Sequence, residues 1–324
     1  MIPLAIALPS GRVARLVAFA QDGAACCLLA TADAEGRVTR FALGAADTAS
    51  LRAELDALES ISKVELAAEL RRVRSDLAAK LKIAKSPRAF NTLPRRAEVE
   101  AAVQGMLSRA EAAGKAAMIA EVGAPGEYAA SFTPVAAARW LAQAAFWITD
   151  VLADDLLGEA QRILVKGLKN GTATGELMRE LWEAFVPYLG GEVGGKVVSA
   201  HRLETIVRTN TTTAYNHGRL TAALDPKLAR FVDGVRYSAI LDERTTEVCK
   251  LLHGKVFLTP AGAKQHGGGD QTAALEALLP PRHFNCRSII HAKVVGSPIQ
   301  PEDIITDFEI ERAKELSGAG FMQR

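Results

Sequence analysis

Cysteine is scarce: four residues in 324, two of them adjacent as Cys26-Cys27. Sequence neighbours make strained disulfide partners, and four cysteines in this length are no disulfide scaffold, so synthesis in a reducing, cytosolic setting is expected. Charge of one sign is also lacking. Lys plus Arg number 39 and Asp plus Glu 37, a net of +2, which argues against a dedicated nucleic-acid binder with its usual basic excess. No apolar run approaches the ~18 residues of a membrane span, so no membrane anchor is expected. The apolar start, Met1 to Pro9, has no basic residue and carries Pro3 and Pro9. It reads as an extended strand in a soluble protein, not as a signal peptide. Aromatics are few, at 6%, yet 49% of the chain is hydrophobic and 23% charged. That balance belongs to a globular protein able to bury a core, with a length suiting roughly two domains.

The pattern changes along the chain. Residues 1–45 read as a small β meander: Val13 to Phe19, Ala24 to Ala30 and Arg37 to Ala42 are strand-like runs, with turn signals at Gln21-Asp22-Gly23 and Glu35-Gly36. Cys26 and Cys27 are expected to pack inside that unit. Residues 46–196 read as helical. Leu51, Leu55 and Leu58 form one apolar stripe, and Leu66, Leu70, Val73, Leu77 and Leu81 another, with a break expected at Ser60 to Ser62. Within residues 61–98, ten basic residues face four acidic ones. Arg71, Arg72, Arg74, Lys80, Lys82 and Lys85 are candidates for contact with DNA phosphates or an acidic partner; the plainer reading is a solvated helix face. Ala136 to Leu157 reads as a buried helix, with Trp140, Phe146 and Trp147 as core residues. Thr174 is a candidate cap for a helix running to Phe185.

From residue 197 the residue types become specific. Arg202 to Ala223 is helical, and Arg208, Thr212, Tyr215 and Arg219 fall on one stripe, with Thr209 and Asn216 two turns apart. Thr211 to Thr213 are poor helix formers, so tertiary contacts must hold this helix. Arg, Thr and Asn on its inner face predict a buried polar network with a second element: the strand Val235 to Leu241 and the following Asp242-Glu243-Arg244-Thr245. Asp242 is the expected N-cap of a short helix carrying Cys249, closed by Gly254. A Gly-rich loop over residues 262–269 and a helix from Thr272 to Leu279 lead to Pro280-Pro281-Arg282-His283-Phe284-Asn285-Cys286-Arg287.

His283 and Cys286 stand a turn apart, and Cys249 is a third ligand candidate. With Asp242 or His253 as a fourth, the set suits tetrahedral Zn²⁺. Equally, Cys249 and Cys286 suit small buried hydrophobes and His283 a hydrogen-bonded core histidine. His253, His266 and His291 read otherwise as surface or loop residues, and His201 and His217 as helix-surface residues.

The order Arg208-Thr209, Asn216, Arg219, Tyr237, Asp242-x-Arg244-Thr245, Cys249, Gly254, Phe257 and Pro280-Pro281-x-His283-x-Asn285-Cys286-Arg287 resembles the phage head morphogenesis domain of the Mu protein F-like minor head proteins. The resemblance covers Val197 to Val294, and the Pro-Pro-x-His-x-x-Cys-Arg block is its most specific part. Departures are Asn210, where members often have an acidic residue, His253, where an Asp is common, and Thr246 and Ser288, where some members have cysteine. Any metal set here is therefore mixed, with Cys249, His283 and Cys286 as its best members.

The resemblance implies a minor structural protein of a tailed-phage or prophage head, assembled in the host cytoplasm and located in the virion at the portal vertex or head interior. Its partners would be portal and capsid proteins, with packaged DNA a candidate for the basic stretch. The expected fold class is α+β and mostly helical. Residues 1–45 form a small β unit, 46–196 a helical region and 197–296 the Mu F-like module, while 297–324 are a docking tail. One rival is a zinc-dependent hydrolase or toxin-related enzyme, with Asp242 or Glu243 as base. No second carboxylate cluster or nucleophile–base pair supports it, and no tail long enough for a toxin domain is expected. A second rival is a sequence-tolerant DNA-binding protein.

Overall fold

The computed structural model describes residues 48–122, 139–295 and 297–317 in full, and the backbone course of residues 4–7, 13–19, 26–32, 38–42 and 135–138. Long helices dominate, accompanied by small antiparallel sheets, so the fold is α+β and mostly helical. No helix among the described residues is long and apolar enough to cross a membrane.

Strands β1 (Leu4–Ala7), β2 (Val13–Phe19), β3 (Cys26–Ala32) and β4 (Val38–Ala42) pair antiparallel in chain order. The turns expected at residues 21–23 and 35–36, and the side chains of Cys26 and Cys27, lie outside the described residues.

The chain divides into two compact units, one of residues 57–109 with 134–211, the other of residues 1–56, 110–133 and 212–324. The first is mostly helical. Helix α1 (Thr48–Ile83) supplies its buried stripe Leu66, Leu70, Val73, Leu77 and Leu81, and α2 (Arg96–Val122) supplies Val99, Val103, Met106 and Leu107. Helix α3 (Val135–Asn170) adds Leu152, Leu156, Ala160 and Ile163. Then come α4 (Thr174–Ala184), α5 (Val186–Leu189), the hairpin β5 (Gly191–Val193) and β6 (Lys196–Val198), and the start of α6 (His201–Ala223).

Several local expectations need correction. Helix α1 runs unbroken through Ser60 to Ser62, because Ser62 Oγ donates back to the Leu58 carbonyl at 2.7 Å and so satisfies itself inside the helix. Phe146 and Trp147 are not core residues: they are about half exposed on α3, with the Arg96 guanidinium 5.1 Å from the Phe146 ring centroid. The period-3.6 stripe of α3 runs through Ala145, Ile148 and Leu152 instead. Thr174 is the first helical residue of α4, and the cap position falls to Ala173.

The other unit is built on a three-stranded antiparallel sheet, β8 (Val256–Leu258), β7 (Val232–Ser238) and β9 (Ile289–Val294), in that spatial order. The central strand β7 is buried at every position but Arg236. Helices α7 (Glu247–Leu252), α8 (Pro260–His266), α9 (Thr272–Leu278) and α10 (Asp307–Leu316) complete the unit. Val235, Tyr237, Phe257 and Ile290 of the sheet share one core with Leu252, Leu278 and Ile310 of the helices. Part of the expected Gly-rich loop is helical: Thr259 caps α8 by accepting from the Gly262 amide, and Pro260 starts it with a pre-set φ. A Cβ on Gly262 would stand 1.7 Å from the Asp233 carbonyl oxygen, so close packing of α8 on β7 explains that glycine. Helix α10, in the segment read as a docking tail, opens with a Thr306–Glu309 capping box and places Ile310 and Ala313 in the same core.

Candidate functional site

The polar face of α6 meets strand β9, and this contact holds the threonine-rich helix. Thr212 Oγ1 donates to the Cys286 carbonyl at 3.3 Å. Asn216 is fully buried: its Nδ2 donates to the carbonyls of Thr212 at 3.0 Å and Ser288 at 3.1 Å, and its Oδ1 accepts from the Ile290 amide at 3.0 Å. Arg219, also fully buried, donates from Nε to the Ile290 carbonyl at 2.6 Å and pairs through Nη2 with Glu121 of α2. Glu121 also meets His291 Nδ1 at 3.0 Å. Burial alone would push the Glu121 carboxyl up. The His291 hydrogen bond and the charges of Arg219 and His291 outweigh it, so the group is held below the ordinary carboxylate value. Tyr215, on the same face, donates to Glu54 Oε2 at 2.7 Å, and burial of its ring pushes the phenol upward.

Arg208 serves the other unit, where it pairs with Glu59 at 3.1 Å. Thr209 is buried there as well. The polar residues read from the sequence as one network are therefore distributed. Asn216 and Arg219 bind β9, Arg208 binds Glu59, and Asp242, Arg244 and Thr245 form a turn of their own.

In that turn the Asp242 carboxylate accepts from the Arg244 amide at 2.9 Å and from Thr245 Oγ1 at 3.1 Å. Arg287 Nη2 donates to both its oxygens, at 2.8 and 2.7 Å. The Arg287 hydrogen bond chiefly keeps Asp242 below its usual range. Asp242 is therefore not the N-cap of α7; that position falls to Thr246, and Asp242 ties its turn to the segment before β9. The Arg244 side chain is exposed. His253 ends α7, and its Nδ1 accepts from the Ala239 amide at 3.1 Å.

Cys249, His283 and Cys286 come together. Their ligand atoms all lie within 4.8 Å of one another, and the two Sγ atoms are 3.8 Å apart. Helix α7 carries Cys249. The turn that follows the cis Pro280–Pro281 bond carries the other two residues, with Asn285 at φ 60° between them and the Cys286 amide donating to the His283 carbonyl at 3.3 Å. Both cysteines are fully buried and free; His283 is partly exposed. His283 Nδ1 lies 2.8 Å from the Phe284 carbonyl, which can only accept, so Nδ1 carries a proton, and the hydrogen bond to Cys249 raises the imidazole above its ordinary value. Tyr237 Oη and Ser288 Oγ stand 3.4 and 3.5 Å from Cys249 Sγ. The Cys286 hydrogen bond, with those of His283, Ser288 and Tyr237, holds the Cys249 thiol far below its ordinary value. Cys249 and burial together push the Cys286 thiol well above it. Among the described residues neither Asp242 nor His253 joins this cluster.

The basic stretch divides by role. Arg74 lies over the Trp182 ring, 3.4 Å from its centroid, and Arg72 pairs with Glu69. Arg95 pairs with Glu69 and Glu98, and Arg96 with Asp150 at 2.6 Å. Arg71, Lys82 and Lys85 are exposed, and Lys80 is partly so.

Sequence reasoning missed Glu121 and Glu54, the carboxylates that answer Arg219 and Tyr215, and it placed His291 at the surface. Each sits on an element whose pattern is unremarkable; only a buried Arg219 lacking an acidic neighbour on its own helix signalled that one had to come from elsewhere.

No curated protein and no solved structure matches the chain. A family model does, described as Phage Mu protein F like protein, over residues 159–291. The match opens in α3, upstream of residue 197, where the resemblance in the residue pattern begins, and ends in β9. It takes in Asn216, Arg219, Asp242, Cys249, His283 and Cys286. Across that span, which is less than half of the 324 residues, the chain is similar to the phage Mu protein F like proteins.

Proposed function

We propose that this chain is a minor structural protein of a tailed-phage or prophage head, associated with the portal vertex and acting in capsid assembly, DNA packaging or early DNA delivery. The observation that carries this reading is the family match over residues 159–291. The chemistry of the matched segment agrees with it. Asn216, Arg219 and Thr212 each donate to the backbone of β9 or of the segment before it, and Asn216 also accepts from the Ile290 amide, which supports a rigid module. Asp242, the base of the rival hydrolase reading, has its carboxylate engaged by Arg287, Arg244 and Thr245, which supports a structural role for the turn.

In this reading the exposed Arg71, Lys82 and Lys85 of the basic stretch meet packaged DNA or an acidic partner surface, contacts that weaken as salt rises. The test is co-purification of the chain with the portal protein encoded beside it, at low and high salt. Sub-stoichiometric association that survives both salts supports the proposal. Absence of the chain from portal complexes, proheads and virions overturns it.

A further inference from the structure

We propose that Cys249 Sγ, Cys286 Sγ and His283 Nε2 bind one Zn²⁺, which pins helix α7 to the turn before β9. Three observations converge on it. First, two thiolates bound to a tetrahedral zinc at about 2.3 Å stand about 3.8 Å apart, and the Sγ–Sγ distance is 3.8 Å. A disulfide needs about 2.05 Å, so the pair is spaced for a shared ion and not for a bond. Second, the histidine is prepared as a ligand. Nδ1 donates to the Phe284 carbonyl, which leaves Nε2 as the ring nitrogen that gives up its proton to take the ion, and this backbone hydrogen bond is the usual partner of a zinc-bound imidazole. Third, the thiolate finds support: Tyr237 Oη and Ser288 Oγ lie 3.4 and 3.5 Å from Cys249 Sγ, within reach as donors to a metal-bound sulfur.

The donor set selects the metal. Two thiolates and one imidazole suit Zn²⁺ better than Mg²⁺ or Ca²⁺, which prefer oxygen. Two thiolates also neutralise a divalent ion, so the buried site carries no net charge. Binding releases the ligands' remaining protons to solvent and ties affinity to pH. No fourth His, Cys, Asp or Glu joins the three among the described residues, which therefore supply three of the four donors of a tetrahedral site. The ion joins segments 37 positions apart in the chain, and its binding free energy becomes stability of the module.

The site rests on these donors and not on the head-assembly reading, and the measurements are separate. The full chain is produced in zinc-supplemented medium, purified without chelator and assayed for metal. Metal-free chain is then titrated with Co²⁺ and followed by absorbance. We expect about one zinc per chain, intense thiolate-to-cobalt charge-transfer and tetrahedral d–d bands, and a melting temperature that drops on chelation. Cys249→Ser with Cys286→Ser should abolish the cobalt bands, while Asp242→Ala and His253→Ala should keep them. The double variant can fail to fold, so the wild-type cobalt spectrum is decisive. A folded wild-type chain that carries no zinc and shows no cobalt–thiolate bands overturns the proposal, whatever its association with portal. Loss of metal in Asp242→Ala or His253→Ala with the fold intact overturns the ligand set.

Discussion

Gly218 on α6 and Glu111 on α2 leave no room between them for a side chain: a Cβ at position 218 would stand 2.0 Å from the Glu111 carbonyl oxygen. One turn away the relation is reversed, for a Cβ at Gly114 on α2 would meet the Tyr215 carbonyl oxygen at 1.9 Å. The two helices cross backbone to backbone, and this crossing brings Glu121 beneath Arg219.

Gly218→Ala should therefore separate the helices. Overpacking costs about 1–3 kcal/mol where side chains can yield, and here the obstacle is backbone, so the cost should reach at least the upper end of that range. Thermal unfolding should show a drop of several degrees. Gly175→Ala, where an added Cβ would meet nothing within 4 Å, is the control that should leave the midpoint in place or raise it.

Removing Asn216 should loosen β9 selectively. Asn216→Ala leaves the Ile290 amide without its side-chain acceptor and the Ser288 carbonyl without its donor, at about 1–3 kcal/mol for each buried group so stranded. Hydrogen exchange should show the Ile290 amide losing protection more than amides of α4, which lie in the other unit. Uniform loss across both units would contradict this placement.

Acid should weaken the unit that contains Glu121. Its folded-state pKa lies below the ordinary glutamate value of 4.5. The stability it contributes is thus fully present above that value and is lost as pH falls through the folded pKa. Denaturation between pH 7 and pH 3 should show wild type losing stability in that acid window. Glu121→Gln should be destabilised by about 3–5 kcal/mol at neutral pH, because it strands the buried Arg219 guanidinium, and its deficit should narrow as pH falls.

The basic stretch should separate by mutation into packing and recognition. Arg74→Ala removes the guanidinium from the Trp182 ring and should cost about 0.5–1 kcal/mol of stability, with little effect on DNA retention. Lys82→Glu with Lys85→Glu should leave the melting temperature nearly unchanged and lower retention on DNA at low salt. Equal retention by wild type and the charge-reversed variant would remove the DNA contact from the proposed function.

The linear pattern alone determined the elements with strong local signals. The leucine stripe from Leu66 to Leu81 dictates its helix, and the αL glycine at 254 closes α7, with φ 81°. His283-x-x-Cys286 announces a shared site because the residues that must converge are neighbours in the chain. Tertiary structure decided what depends on distant partners. Ser60 to Ser62 read as a break only while the self-satisfying bond from Ser62 to Leu58 is unknown. Phe146 and Trp147 read as core because hydrophobicity does not say which face of a helix is covered. Cys249 joins His283 and Cys286, and Asp242 does not, because the Arg287 guanidinium claims the carboxylate first. Glu121 found Arg219 because two glycines let α2 and α6 approach to backbone contact, and no periodicity within either helix encodes that meeting.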